Sequence, residues 1–204
     1  MTHILHIDSS PRGERSYSKR VTNDFVQAWK QLRPDTTVTY RDLGHHPVPH
    51  VDEPWIAAAF TPPEARSSEL NEAIKLSDTL VDEFLAADLY VFGVPMYNFS
   101  VPSTFKAYID QVVRVGRTFA ITEQGYAGLV DSSKKMLVIT ARGGSYQQGT
   151  PAASYDLQEP YIRSIFGFVG ITDITFIHVD NLQLAADPSL AKAREAVQEL
   201  ATRW

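Results

Sequence analysis

Five short runs rich in Ile, Leu, Val or Thr alternate along this chain with longer stretches of helical periodicity. The runs are His3–Asp8, Thr36–Tyr40, Leu89–Val94, Lys135–Thr140 and Ile174–Val179. Leu89–Val94 is apolar throughout, which marks a strand buried on both faces, as in a parallel sheet. Between the first two runs, Val21, Phe25, Trp29 and Leu32 recur at helical spacing, and Glu69–Ala86 carries Leu70, Ile74, Leu80, Val81 and Phe84 on one face. Ser103–Val115, Tyr155–Val169 and Pro188–Thr202 read as three further helices. Alternation of this kind makes an α/β chain, doubly wound, with helices on both faces of a five-stranded parallel sheet.

The expected topology is the flavodoxin-like strand order 2-1-3-4-5, in a single domain over residues 1–204. Two segments stand outside the alternation. Asp42–Arg66 is a long, proline-rich loop, of a length that is usually functional or covered by a partner. Gly116–Asp131 has alternation and glycines and reads as a hairpin-like excursion. Cysteine is absent, which excludes disulfides, thiolate metal sites and a Cys nucleophile. A net charge of -5 argues against nucleic acid and anionic membrane as partners. No apolar run has the length of a membrane span, and the chain enters a strand at its start without a targeting segment, so a cytoplasmic protein is expected.

In the 2-1-3-4-5 order the carboxyl ends of strands 1, 3 and 4 lie side by side, and three loops leave them. The first holds Ser9-Ser10 and then Ser16-Tyr17-Ser18 before a helix. Hydroxyls, free N–H groups and the positive end of a helix dipole suit a phosphate there, although serine at a helix start is equally an ordinary N-cap. The loop has neither G-x-x-x-x-G-K-[ST] nor G-x-G-x-x-G, so a Walker-type site is excluded and a Rossmann dinucleotide site disfavoured. The second loop is Pro95-Met96-Tyr97-Asn98-Phe99. Pro95 cannot donate to a ladder and ends the strand, and the apolar, aromatic loop beyond it calls for a flat ligand or a neighbouring subunit. The third is Ala141-Arg142-Gly143-Gly144, where two glycines let backbone amides approach a ligand closely. A phosphate cradle, an apolar platform and exposed amides around one sheet edge together describe flavin mononucleotide (FMN).

These blocks, with Arg41-Asp42-Leu43, Thr118-Phe119 and the late Phe166-Gly167-Phe168-Val169-Gly170-Ile171-Thr172-Asp173, run nearly end to end through the chain. On them the sequence resembles the FMN-dependent NADH-azoreductases, which are also NADH:quinone oxidoreductases. The resemblance implies that Ser10, Ser16, Tyr17 and Ser18 hold the FMN phosphate. It implies that Met96, Tyr97, Asn98 and Phe99 line the ring, with Asn98 fixing it, and that Ala141, Arg142, Gly143 and Gly144 meet the ring's polar edge. The family usually has Ser where this chain has Ala141, and Ala120-Ile121 stand where relatives can place an aromatic residue. The family is homodimeric, each site roofed by the other subunit, which gives Asp42–Arg66, with Trp55 and Phe60, a covering or interface role. Those two residues serve equally well as anchors of the loop on their own domain.

The function implied is two-electron reduction of quinones and aromatic azo compounds by NADH or NADPH, in ping-pong steps through the flavin. Arg142 is expected to pair with a carboxylate or to stabilise reduced flavin. His45, His46, His50 and Asp52 lack metal-site spacing and read as solvated loop residues, so no metal is expected. The alternative is a flavodoxin-type FMN electron carrier that docks protein partners; the modest charge and the apolar platform favour the enzyme.

Overall fold

A computed structural model describes residues 1–204. β1 (His3–Asp8) leads through a short 3-10 turn (Gly13–Arg15) into α1 (Tyr17–Leu32), and β2 (Thr37–Asp42) is followed by α2 (Glu53–Phe60) and α3 (Ser68–Ala86). β3 (Leu89–Pro95) precedes α4 (Ser103–Val112), after which β4 (Phe119–Thr122) and β5 (Gly125–Gly128) form a separate antiparallel ribbon. β6 (Lys135–Ala141), α5 (Glu159–Val169), β7 (Asp173–Val179) and α6 (Ala186–Arg203) complete the chain. The five long strands pair in parallel in the order β2-β1-β3-β6-β7, the 2-1-3-4-5 order read from the sequence.

Successive strand residues point to opposite faces, so the apolar runs build two cores. Leu5, Ile7, Tyr90, Phe92, Val94 and Val138 pack with Phe84 of α3, Phe105 of α4 and Phe166 of α5. Ile4, Val91, Leu137 and Ile139 pack on the other face with Phe25 and Trp29 of α1 and Val197 of α6. Each such side chain contributes about 1.5–3 kcal/mol on burial, which is why a strand with no polar position is stable only at the centre of the sheet.

Several boundaries differ from the sequence reading by a residue or more, and four of the differences have a local reason. Asp42–Arg66 contains a helix rather than a bare loop: Asp52 accepts the Trp55 N–H at its start, and Pro54 falls in the first turn, where a missing N–H costs nothing. Trp55 Nε1 donates to Gln111 Oε1 at 2.8 Å, tying α2 to α4 of the same subunit, whereas Phe60 is 73% exposed. α4 stops at Val112 instead of Val115 because Thr118 Oγ1 accepts the Arg114 N–H and Gly116 turns the chain at φ +74°. α5 starts at Glu159 rather than Tyr155, since the Asp156 carboxylate accepts the N–H groups of Gln158 and Glu159. Pro95 is itself the last strand residue, opposite Ala141, and the next ladder bond comes from Met96 N–H to Ala141 O.

The Gly116–Asp131 excursion is the β4–β5 ribbon, and it docks on the end of α5. A Cβ on Gly128 would lie 2.4 Å from Gly170 N, so only glycine allows this approach. The rings of Phe119 and Tyr126 close on Phe168 at centroid distances of 4.8 and 5.5 Å.

Candidate functional site

The three loops meet at the carboxyl ends of β1, β3 and β6. Ser9 donates both its N–H and its hydroxyl to Gly93 O at 3.0 Å, which binds the first loop to the end of β3. Beneath that junction Asp8, 1% exposed, accepts from Thr22 Oγ1 at 2.9 Å and Tyr40 Oη at 3.2 Å, with His6 Nε2 3.2 Å away. Burial, with the Asp8 charge adding to it, pushes the Tyr40 hydroxyl up to about 12 and keeps it a donor. Gly93 makes room for this carboxylate: a Cβ there would sit 2.2 Å from Asp8 Oδ1.

Beyond Ser9 the chain turns at Gly13 (φ +55°) and enters α1 at Ser16, the N-cap, whose Oγ accepts the Lys19 N–H at 3.3 Å. Ser10, Ser16 and Ser18 are buried, and the Ser16 and Ser18 hydroxyls lie 3.3 Å apart. The amides of Tyr17 and Ser18 are first-turn donors with no acceptor in the protein. The Tyr17 ring packs against the α1–α6 core, so its N–H is what the loop offers.

The second loop is a tight reversal. Tyr97 and Ser100 exchange backbone bonds, and Asn98 (φ +48°) and Phe99 (φ +70°) between them are left-handed. That geometry strains a bulky residue and leaves the Asn98 and Phe99 N–H groups without acceptors. Phe99 stacks on Tyr155 with ring centroids 5.0 Å apart, and its carbonyl accepts the Leu157 N–H. The third loop hangs on Arg142, 1% exposed, whose Nε and Nη2 donate to Asp180 at 2.6 and 3.0 Å and whose Nη1 donates to Asp156 at 2.8 Å. With both carboxylates in place the guanidinium is a strut between β6, β7 and α5, the first of the two roles open to it from the sequence. The Gly143 and Gly144 amides carry no protein acceptor, while their carbonyls accept from Gln183 and Asn181.

The twelve candidate residues of the sequence all lie on the three loops or at the start of α1, and Met96 N–H to Ala141 O closes the second loop on the third. The sequence reading missed Asp156, Asp180 and Tyr155. Asp180 follows β7 and Asp156 follows a 3-10 turn (Ala153–Tyr155) before α5, and no local pattern says which cation each meets. His45, by contrast, stays exposed beside Asp42, its Nδ1 3.0 Å from Oδ2.

A family model described as a flavodoxin-like fold matches residues 2–202. An FMN-dependent NADH:quinone oxidoreductase 2 of Trichormus variabilis is 63% identical over 207 residues, covering 100% of both chains. This chain belongs to the FMN-dependent NADH:quinone oxidoreductases. A second member, from Nostoc sp., is 62% identical with 100% of each chain covered. Of the solved structures, an azoreductase from Bacillus anthracis str. Sterne superposes with a TM-score of 0.91 at 29% identity, covering 100% of both chains. An FMN-dependent NADH-azoreductase of B. anthracis str. Ames Ancestor in complex with FMN also gives 0.91, at 27% identity, covering 100% of this chain and 99% of that one. Against that family background the rim of this oxidoreductase has the donor set a flavin nucleotide needs. Unpartnered first-turn amides and paired hydroxyls suit a dianionic phosphate, and four further unpartnered amides suit ring carbonyls and nitrogens.

Proposed function

We propose that this chain is an FMN-dependent NADH:quinone oxidoreductase, one flavin-binding domain that also reduces aromatic azo compounds. The observation that carries the reading is the set of unpartnered backbone donors at Tyr17, Ser18, Asn98, Phe99, Gly143 and Gly144, all on one sheet rim in a chain of this family. Ser10, Ser16, Ser18 and the first-turn amides of α1 hold the phosphate. Met96–Phe99 floor the ring, Asn98 fixing its edge, and the Ala141–Gly144 backbone receives the pyrimidine side. Bound FMN supplies the two-electron chemistry, taking a hydride equivalent from NADH or NADPH and giving it to a quinone or azo acceptor.

The chain's own residues make that exchange possible by leaving one face of the platform open. Tyr97 and Phe99 stay exposed, so donor and acceptor can occupy the same face in turn. Arg142, locked between two carboxylates, keeps the third loop rigid without presenting a proton to the ring. The two acids at the third loop, Asp156 and Asp180, are taken up by Arg142, and solvent supplies the protons. The active form is a cytoplasmic homodimer, in which the exposed Ile56 and Phe60 of α2 and Ile121 and Tyr126 of the ribbon meet a second copy.

The purified protein should show flavin absorption bands that bleach with NADH under anaerobic conditions and return on adding a quinone. Bands indifferent to NADH would replace this reading with an electron carrier; a protein that stays colourless with added FMN would remove the site assignment.

A further inference from the structure

Away from the rim, a cavity of about 600 Å³ opens between α2, α3 and the turn after α4. Three arginines line it, Arg66, Arg114 and Arg117, with Asp78 the single carboxylate. Arg114 is 3% exposed; its Nη1 donates to Ser77 Oγ at 2.7 Å and lies 3.3 Å from Asp78 Oδ1, and its buried Nε–H has no acceptor. Arg66 is fixed by its Nε, which donates to Ala58 O at 2.9 Å and Thr61 O at 3.0 Å, so both terminal nitrogens remain free. Arg117 reaches the same Asp78 oxygen at 3.3 Å and also pairs with Asp82. Asp78 is therefore divided between two guanidinium groups at long distance, and the cavity keeps an excess of positive charge. Burial lowers the Arg114 pKa from its ordinary value, and the neighbouring charges of Arg66 and Arg117 lower it further against the pull of Asp78.

We propose that this cavity binds a phosphate-type oxyanion at a site separate from the flavin rim. Guanidinium forks match phosphate oxygens bidentately, and an incoming dianion would give the Arg114 Nε–H the acceptor it lacks, beside an Asp78 carboxylate already shared with Arg117. Ala59, Pro62 and Pro63 wall the cavity with apolar surface against which the organic part of a phosphorylated ligand can lie. α4 starts just after the second rim loop and is ten residues long, which sets Arg114 about 15 Å from that loop. The phosphate can come from a free phosphorylated metabolite or from the diphosphate of the nicotinamide donor.

Isothermal titration of inorganic pyrophosphate into the FMN-loaded enzyme, at ionic strength held constant with KCl, tests the site; the bound flavin already fills the Ser16–Ser18 loop. Saturable binding is expected, weakened about tenfold or more in Arg66→Gln and in Arg117→Gln, the loss of one charge-assisted hydrogen bond. Both variants should keep the wild-type flavin spectrum. No binding by wild type, or equal binding by wild type and both variants, overturns the proposal. A matching rise in KM for NADH at unchanged kcat identifies the donor's diphosphate as the source, and an unchanged KM identifies a separate metabolite.

Discussion

A single missing methyl group decides whether β1 and β3 can lie side by side. Gly93 has ordinary strand geometry, so the reason it is glycine is the Asp8 carboxylate, which a Cβ would approach to 2.2 Å, with Thr22 Cγ2 at 3.2 Å. Asp8 is held by Thr22 and Tyr40 and packed beside His6, so it cannot retreat. Gly93→Ala should lower stability by about 1–3 kcal/mol through overpacking, read as a lower urea midpoint at unchanged slope. Ser16 carries two duties that separate by measurement. As N-cap its hydroxyl is worth about 1 kcal/mol, and as phosphate ligand it contributes to FMN affinity but not to riboflavin affinity. Ser16→Ala should therefore weaken FMN binding by about tenfold while riboflavin binding stays near wild type. Equal losses for both flavins would take the phosphate away from this loop. The serines and both roles open to them were visible in the sequence, but their pattern could not choose between the roles, because a capped helix and a phosphate cradle use the same residues.

At the scale of elements, two connections carry the site. The β3–α4 loop reverses through two left-handed residues, a conformation glycine accepts without strain and asparagine better than alanine. Asn98→Gly should match wild-type stability within about 0.5 kcal/mol, whereas Asn98→Ala should lose about 1 kcal/mol, both by denaturant titration. If Asn98 also fixes the ring by its side chain, the two variants lose FMN affinity alike despite their different stability. The second connection joins α5 to β7. The hydrogen bond from His178, then that from Arg163, holds the Glu159 carboxyl down at about 2 from an ordinary 4.5. Because the folded value is the lower one, the stability this group contributes is complete above pH 4.5 and is lost as pH falls toward 2. The stability difference between wild type and Glu159→Gln should be constant near neutrality and shrink across that window. A difference independent of pH would assign the contact to packing alone. Neither connection was readable as a contact, since His178 and Glu159 lie nineteen positions apart and no local pattern pairs them.

For the whole molecule, the exposed apolar residues include two pairs away from the rim, Ile56 with Phe60 on α2 and Ile121 with Tyr126 on the ribbon. Trp55, bonded to Gln111, shows that α2 is anchored on its own subunit, which leaves its outer face for a partner. Sedimentation should give a species of about twice 22.8 kDa, and Ile56→Glu with Phe60→Glu should shift it toward monomer while far-UV circular dichroism stays unchanged. A wild-type monomer with full quinone reductase activity would contradict the dimer. The sequence by itself determined the alternation of strands and helices and the chemistry of the three loops, because hydrophobic period and loop chemistry are local properties; the strand order was an expectation that the pairing bears out. Only the tertiary structure decided that Arg142 is a strut, that Gly93 exists for Asp8, and that Arg66, Arg114 and Arg117 share one cavity. Those facts depend on which side chains from distant parts of the chain come within a few ångströms, and that distance is set by packing.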